Sequence, residues 1–418
     1  MAPPTAAPSR PYQGLLVAVH LLLAFAGGYK LRVETTLNGV PDGFQDVVDS
    51  AVFPNGLPLK TRYLGVPAID NIFPFLVVAF VAGPAGWDTN VRLQQMHFLY
   101  NFAGILAVLV VESRRRANAS RLITWIALWA VFYQTVGGNL IVPLWFAVDL
   151  MTSNDANGLF TPSATAASTK RDVPLPYAQF ILPATILGYL LPTALLYVPW
   201  GWSHEVNQLL AALWQPAPMF VSLFLVLFAG AAKSLAVTTS ARTTAHAGGF
   251  PNGRDVPPRE NLPEGDATPP DDVFYLKTYY LMVGMLCFVV HAYVLYQIHT
   301  DGYLATDTGS HVTWGSVFVP SQAAWKDSVH AGLHYIFQWD AIGIFGTSWT
   351  WSCVKAWDVL RVTPGQSGGE VVKTVLLITV ANVVIGPGAA LMAVWYWREN
   401  KLVELAAREA GRETKKIT

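Results

Sequence analysis

Long apolar stretches recur from one end of the chain to the other and are separated by short polar segments. A helix of about 20 apolar residues is long enough to cross a membrane. The pattern therefore predicts an all-α fold, a polytopic transmembrane helix bundle with eight or nine spans, in which residues 1–418 form a single integral-membrane domain. The predicted spans are residues 14–31, 69–86, 93–111, 122–148, 177–198, 209–237, 273–299, 333–360 and 371–397.

Two polar segments interrupt this pattern. Residues 32–68 carry Asp42, Asp46 and Asp49 at roughly helical spacing and predict an amphipathic piece at the membrane surface. The carboxylates there are either a solvated face or part of a lid over an active site. Residues 238–272 are rich in proline, glycine and charge, and they predict a flexible loop between two halves of the chain.

Basic residues predict the orientation of the bundle. The loop after the third span contains Arg114, Arg115 and Arg116, and the C-terminal tail is also basic, so both are expected on the cytoplasmic side. With nine spans the N-terminus then lies on the opposite side, and the third and eighth spans run in opposite directions. The alternative is a re-entrant, proline-rich segment among the fifth and sixth spans, which reduces the count to eight.

Composition narrows the classes of function. The chain is 53% hydrophobic and 13% charged with no net charge, which gives no basic surface for nucleic acid. Cys287 and Cys353 fall inside predicted spans and form neither a disulfide framework nor a zinc motif. There is no Walker loop, G-x-S-x-G, H-E-x-x-H or aspartate-rich diphosphate motif. We therefore expect no cofactor and no metal, and chemistry of the acid–base kind.

Asp340 stands out because it lies inside a long apolar and aromatic run. A charged aspartate in hydrocarbon costs at least ~2.5–3.5 kcal/mol on insertion scales, so an intramembrane carboxyl group is a functional hypothesis with a partner to be found. At helical spacing Phe337, Asp340 and Trp351 share one face. The alternative is that Asp340 only bonds a neighbouring helix.

Other polar residues lie within the predicted third and fourth spans. His97 and Asn101 share a helix face with Tyr100 beside them, and Asn139 follows two glycines. Pro143 cannot bond the carbonyl of Asn139, so a kink with a free carbonyl is expected there. The alternative for all of these residues is ordinary packing or hydrogen bonding between helices, worth only about 0.6 kcal/mol per bond on average.

Two further residues complete the candidates. Asp70 opens the predicted second span near one membrane surface, and His291 lies deep in the predicted seventh span. His291 is either a proton partner or a core histidine with satisfied hydrogen bonds.

The segment Gln338-Trp339-Asp340, late in a chain of Trp- and Tyr-rich spans, resembles fungal integral-membrane cyclases and epoxide hydrolases of secondary metabolism. These include ascofuranone-type meroterpenoid cyclases and epoxide-opening enzymes of polyene-pyrone pathways. The resemblance implies acid-triggered opening of an epoxide on a lipophilic terpenoid or polyene, followed by ring closure or hydration. Smaller cyclases of this kind use two acids on different helices, and only Asp340 carries over here.

The expected site follows from these observations. Catalytic roles are predicted for Asp340, His97 and Asn139, and we expect a single-mouthed apolar cavity with Asp340 on its wall and at least one of His97, Asn101 and Asn139 reaching it. Substrate-binding roles are predicted for Asn101, Tyr100, Gln338, Trp339, Phe337, Trp351, Asp70 and His291. The expected partners are a lipophilic small molecule and membrane lipid, and the expected location is the endoplasmic reticulum membrane.

Two other classes of function remain open. A proton-coupled transporter of a small hydrophobic metabolite would use Asp340 and His291 as a proton relay. The sequence shows no convincing internal repeat and no paired broken helices, which weakens this alternative. A non-catalytic membrane scaffold would have no cavity around Asp340.

Overall fold

The computed structural model describes residues 9–153, 171–198, 200–247, 271–300 and 312–417, and over these residues the fold is all-helical. The described part has one isolated β-bridge, between Val52 and Pro58, and no strand. The helices are α1 (Gln13–Asn38), α2 (Phe44–Ser50), α3 (Pro67–Asp70), α4 (Phe73–Phe80), α5 (Thr89–Arg114), α6 (Ile126–Thr135), α7 (Gly138–Thr152), α8 (Leu175–Tyr197), α9 (His204–Trp214), α10 (Ala217–Ala247), α11 (Asp271–His299), α12 (Trp314–Phe318), α13 (Val329–Val362), α14 (Gly368–Val384) and α15 (Pro387–Ile417).

Five helices of the described part are long and apolar enough to cross a membrane. They are Gln13–Asn38, Thr89–Arg114, Leu175–Tyr197, Ala217–Leu235 and Asp272–His299, and they are compatible with a membrane protein. The expected count of eight or nine spans is not confirmed. The predicted second span consists of the short helices α3 and α4, and the predicted fourth and ninth spans are each broken into two helices.

The first break lies between α6 and α7. Gly137 has φ of +127°, a conformation that favours glycine. The start of α6 lies beside α7. The indole N–H of Trp145 in α7 donates to the carbonyl of Ile123, just before α6, at 3.3 Å. The chain therefore enters the bundle along α6, turns at Gly137 and returns along α7. We call α6–α7 the first hairpin.

A second hairpin is formed by α14 and α15. Its turn contains Gly386 with φ of +88°. Two contacts fix the turn: the buried N–H of Gly388 donates to Asn101 Oδ1 at 3.0 Å, and a ring nitrogen of His291 hydrogen-bonds the carbonyl of Val383 at 3.1 Å. The return arm α15 then passes along α5 and α11. Hydropathy had predicted one straight span here.

The two hairpins are held by the same sequence pattern. Residues 98–104 of α5 read FLYNFAG and residues 337–343 of α13 read FQWDAIG, so both follow Phe-x-aromatic-Asn/Asp-x-x-Gly. Asn101 and Asp340 occupy the same position in this pattern. Each accepts a hydrogen bond from the backbone N–H two residues beyond the positive-φ glycine of a hairpin, at 3.0 and 2.6 Å respectively. The expectation that no repeat relates the two halves is therefore wrong.

The glycines that end these patterns permit close approach of each hairpin turn. A Cβ atom on Gly104 would lie 2.7 Å from the carbonyl oxygen of Gly388. A Cβ atom on Gly343 would overlap the carboxamide of Asn139. Both positions therefore exclude a side chain.

The Arg115 loop, the C-terminal helix and the N-terminal segment lie at the same end of the bundle. Arg115 pairs with Glu399 of α15 at 2.6 Å, and Arg10 pairs with Asp358, near the C-terminal end of α13, also at 2.6 Å. The expectation that the N-terminus lies opposite the Arg115 loop is wrong. The reason is that the predicted second span consists of the short helices α3 and α4 and does not cross the bundle, so the chain crosses only along α1 and α5 before it reaches the Arg115 loop.

Helices α5 and α13 run in the same direction, not in opposite ones, because the first hairpin between them returns to the end from which it entered. Ser316 Oγ donates to Asn90 Oδ1 near the start of α5 at 2.8 Å, and its carbonyl bonds a ring nitrogen of His334 near the start of α13 at 2.9 Å. Their first turns are therefore close together. Side chains halfway along both helices lie at similar depth in the bundle.

The structure agrees with the prediction for the first polar segment, residues 32–68, better than with that for the second, residues 238–272. In residues 32–68 the three carboxylates of Asp42, Asp46 and Asp49 are exposed and Val47 is buried, as an amphipathic piece requires. Its position at a membrane surface stays a prediction. The predicted loop 238–272 begins later than expected, because α10 continues through Ala247. Residues 248–270 lie outside the described residues.

Candidate active site

Asp340 lies on the wall of an apolar cavity of about 230 Å³. Helices α1, α4, α5, α6, α9 and α13 contribute to the lining, most of which is aromatic or aliphatic. The aromatic side chains that line it are Phe44, Phe75, Phe80, Phe98, Phe102, Tyr133, Trp214 and Phe337. Such a lining suits a lipophilic molecule, and Asp340 is the one carboxyl group among the described residues that line the cavity.

The first hairpin holds the carboxyl group of Asp340 in place. Its Oδ1 accepts the backbone N–H of Asn139 at 2.6 Å, and Asn139 Nδ2 donates to the carbonyl of Trp339 at 2.8 Å. A Cβ atom on Gly138 would lie 3.4 Å from this oxygen and would overlap the end of the Ile344 side chain, which would have to shift to admit it. The carboxyl group thus meets the N-terminal end of α7, whose free N–H groups favour negative charge.

Arg32 binds the other side of the same break. Its Nε donates to the carbonyl of Val136 at 2.7 Å and its Nη2 donates to the carbonyl of Thr135 at 3.1 Å. These are free carbonyls at the C-terminal end of α6, where a cation is favourable. Arg32 lines the cavity together with Asp340. Sequence reasoning missed Arg32 because it opens the segment predicted to lie on the membrane surface.

Tyr133 is a second residue that sequence reasoning missed. Its side chain is 6% exposed and lines the cavity, with its ring 5.4 Å from that of Phe102. Its hydroxyl has no hydrogen-bond partner among the described residues. Tyrosines are common in predicted spans, so nothing in the sequence distinguishes Tyr133 from the others.

Two more of the predicted residues lie at this site. Phe337 lines the cavity, and its ring is 5.6 Å from the ring of Phe80. Asn139 contacts Asp340 through its backbone N–H, while its side chain is bound to the carbonyl of Trp339. Asn139 therefore orients the carboxyl group and does not line the cavity.

His97, Asn101 and His291 gather at the second hairpin instead. The His97 Nε2 and His291 Nδ1 atoms are 2.9 Å apart and share a hydrogen bond. Asn101 receives the N–H of Gly388 and donates its Nδ2 to the carbonyl of His97 at 2.9 Å. None of the three lines the Asp340 cavity. The expectation that at least one of His97, Asn101 and Asn139 reaches the Asp340 cavity is wrong, because Asn101 bonds the turn of the second hairpin, His97 bonds His291, and Asn139 is bound to the carbonyl of Trp339.

Three further predicted substrate-binding residues lie away from the cavity. Tyr100 lines a different cavity of about 760 Å³, together with Trp200 and Trp202. Gln338 Nε2 donates to the carbonyl of Val317 at 3.0 Å. The Trp339 ring lies under the Lys30 ammonium, 5.0 Å from its centroid. Gln338 and Trp339 therefore fix α13 against its neighbours.

Trp351 and Asp70 are also remote from Asp340. Trp351 stacks on Phe146 and Trp395, with ring centroids 4.4 and 4.7 Å away, and donates its indole N–H to Asp149 Oδ2 at 2.9 Å. Asp70 Oδ1 accepts the N–H groups of residues 63 and 64 in a surface turn, at 2.8 and 3.0 Å. Within the described ranges, no group of three His, Cys, Asp or Glu side chains lies close enough to hold a metal ion.

Comparison with known proteins assigns the chain to a family. The model of the CtvD domain matches residues 16–403. The chain belongs to the CtvD domain family. This membership confirms the resemblance to fungal cyclases of secondary metabolism that was drawn from Gln338, Trp339 and Asp340.

Three curated relatives of this CtvD-family chain are informative. Terpene cyclase ctvD of Aspergillus terreus is 28% identical over 194 residues, which are 44% of this chain and 53% of that protein. Terpene cyclase DEP1 of Alternaria brassicicola is 23% identical over 402 residues, 91% of this chain and 97% of that protein. FAD-dependent monooxygenase verC1 of Penicillium polonicum is 22% identical over 359 residues, 85% of this chain and 38% of that protein.

The extent of these matches differs. The chain spans about half the length of ctvD and a smaller part of verC1, and nearly all of DEP1. No solved structure matches the chain.

Proposed function

We propose that the chain is a membrane-embedded terpene cyclase of secondary metabolism, in which Asp340 protonates an epoxide on a lipophilic terpenoid or polyene. Ring closure or hydration follows. The observation that carries this proposal is the position of Asp340, on the wall of an aromatic cavity and at the N-terminal end of α7. The same proposal assigns the enzyme to a membrane, which five apolar helices support, and names that of the endoplasmic reticulum.

The geometry suits a proton donor. The Asp340 hydroxyl gives its proton to the epoxide oxygen, the carbon–oxygen bond breaks, and a carbocation develops on the carbon. A double bond of the same chain or a water molecule then supplies the electron pair that quenches this cation, and a proton is lost to complete the product. The N–H of Asn139 stabilises the carboxylate that Asp340 becomes.

The aromatic wall suits the carbocation. Rings such as those of Phe98, Phe102 and Trp214 present electron-rich faces, and each can stabilise a desolvated cation by up to ~2 kcal/mol. An apolar wall also keeps stray water from the cation before the intended nucleophile arrives. The cavity thus supports the cation step as well as the proton step.

The relatives support the same chemistry. Two of them are terpene cyclases, and one of these aligns over nearly its whole length. The third is an FAD-dependent monooxygenase in which the aligned region is only 38% of the protein. A monooxygenase that adds oxygen across a double bond produces an epoxide, which is the substrate class proposed here.

The test is Asp340→Asn, compared with Asp70→Asn as a control acid in an exposed turn. An amide cannot protonate an epoxide, so Asp340→Asn should lose at least about 100-fold in turnover, as expected for a lost general acid. Microsomes carrying each variant at equal protein level are fed a terpenoid epoxide, and products are separated by chromatography and mass spectrometry. Substantial activity in Asp340→Asn, or equal loss in both variants, would remove Asp340 from this role.

A proton-coupled transporter is the second candidate, because the structure contains two hairpins, each formed by a broken apolar segment. Helix ends that meet inside a bundle are typical of the binding sites of secondary transporters. The two candidates differ in where they work: a cyclase converts substrate in detergent solution, whereas a carrier shows function only across a sealed membrane. Product formation by purified protein in detergent would support the cyclase, and proton-dependent uptake into proteoliposomes without conversion would support the carrier.

A further inference from the structure

The hydroxyl of Tyr133 is a polar group of the cavity that the proposed chemistry does not use. The side chain is 6% exposed and lines the same cavity as Asp340. The hydroxyl oxygen is buried and has no hydrogen-bond partner among the described residues. A buried hydroxyl without a partner is unfavourable, so its presence at a cavity wall needs an explanation.

Neighbouring polar side chains of the cavity already have partners. Arg32 donates to the carbonyls of Thr135 and Val136. Gln134 Nε2 donates to the carbonyl of Gln215 at 2.7 Å. Tyr133 differs from these two side chains, because its hydroxyl has no partner among the described residues and is able to hydrogen-bond a molecule inside the cavity.

The surroundings favour an organic ligand over an ordered water. A buried water is usually held by about three polar partners. Tyr133 instead lies beside Phe102 on a wall that also carries Phe98 and Leu99. A ligand that fills the apolar space and carries one oxygen atom satisfies both the wall and the hydroxyl.

We propose that the Tyr133 hydroxyl hydrogen-bonds a neutral oxygen substituent of the substrate, separate from the oxygen that meets Asp340. This inference rests on the proposed function and narrows its substrate class to an oxygenated terpenoid or polyene. The substituent is a hydroxyl, ether or carbonyl group, because a phenol is uncharged and the guanidinium of Arg32 is bound to two carbonyls. Tyr133 is thus a residue that binds and positions substrate while Asp340 does the chemistry.

The test measures binding without turnover, in Asp340→Asn protein reconstituted in nanodiscs. Tritiated farnesol and tritiated farnesene share a carbon skeleton and differ by a hydroxyl group, and equilibrium dialysis against empty nanodiscs removes partition into lipid. With Tyr133 present, farnesol should bind about fivefold or more tightly than farnesene. After Tyr133→Phe this preference should disappear. A parent protein without preference, or a preference that survives Tyr133→Phe, would overturn the inference.

Tyr63→Phe is the matched control. Its hydroxyl is also buried without a partner among the described residues, but Tyr63 does not line this cavity. The preference for farnesol should persist in this variant, and loss of preference in both variants would also overturn the inference. The thermal midpoint of ligand-free Tyr133→Phe should equal or exceed that of its parent, because an unpaired buried hydroxyl is removed.

The result is independent of the acid. Retained turnover in Asp340→Asn would end the role proposed for Asp340 and leave the preference for farnesol unchanged. Loss of turnover in Asp340→Asn together with no role of Tyr133 in binding would leave the acid in place and end this inference alone.

Discussion

At the scale of single residues, the position of the Asp340 carboxyl group depends on neighbours that have no acid–base chemistry. Gly343 follows it by one turn of α13, and the carboxamide of Asn139 occupies the space that a Cβ atom would take. This close contact lets the N–H of Asn139 reach the carboxyl oxygen at 2.6 Å. A methyl group at this position has to push the first turn of α7 away.

We expect Gly343→Ala to lower both the thermal midpoint and the turnover number, because the methyl group displaces Asn139 from Asp340. Overpacking of this kind typically costs about 1–3 kcal/mol of unfolding free energy. Gly346→Ala on the same helix is the control, since no atom lies within 4 Å of its Cβ position. Thermal unfolding and product assays on both variants check this, and equal behaviour of the two would show that the contact is unimportant.

Sequence reasoning finds residues of this site only when they break a pattern. Asp340 stands out because a carboxyl group in an apolar run is costly. Arg32 and Tyr133 do not stand out, because an arginine after a span and a tyrosine within one are both common. Only the packing of α1 and α6 around the cavity shows that these two side chains share it with Asp340.

At the scale of helices, hydropathy shows how long an apolar segment is, but not whether the segment runs straight through the bundle or turns back. Pro143 predicted a kink, and the structure instead has a reversal at Gly137, while Pro143 lies within α7. The last apolar stretch also reverses direction, at Gly386. The repeated pattern in residues 98–104 and 337–343 was available in the sequence. It was missed because Asn101 and Asp340 were considered separately, one as a polar residue of the third span and the other as a carboxyl group in an apolar run.

Asn101→Leu should destabilise the second hairpin, because the N–H of Gly388 loses its acceptor in a buried place. An orphaned buried donor costs about 1–3 kcal/mol. Asn382→Leu is the control, since the Nδ2 of Asn382 bonds only the carbonyl of Ile378 in its own helix. Thermal unfolding in detergent should show a lower midpoint for Asn101→Leu than for Asn382→Leu. The reverse order would contradict the role of Asn101 as a cap.

At the scale of the whole molecule, a buried ion cluster joins elements that are distant in sequence. Glu399 of α15 accepts hydrogen bonds from Arg115 at 2.6 Å and from Arg171 at 2.5 Å. Glu112 of α5 binds Arg115 and Arg398 at 2.9 and 3.0 Å. Because these ion pairs join α15 to α5 in a buried place, the cluster fixes the return arm of the second hairpin against α5.

Removing one charge of this cluster leaves its partners unpaired. Glu399→Gln should cost about 3–5 kcal/mol of unfolding free energy, as expected when one member of a buried ion pair is lost. Glu404→Gln is the control, because that carboxylate pairs with Lys401 in a partly exposed position. Denaturation of both variants in the same detergent checks the difference. A loss in Glu399→Gln no larger than that in Glu404→Gln would contradict the structural role of the cluster.

Each hairpin is held by a helix from the other half of the chain. The carboxyl group of Asp340 and the N–H that holds it are 201 positions apart, and the first hairpin belongs to the N-terminal half while α13 belongs to the C-terminal half. The second hairpin is held in the opposite sense, by Asn101 of the N-terminal half. Each half of the chain thus supplies the residue that holds the hairpin of the other half. The proposed acid is in place only when both halves are assembled.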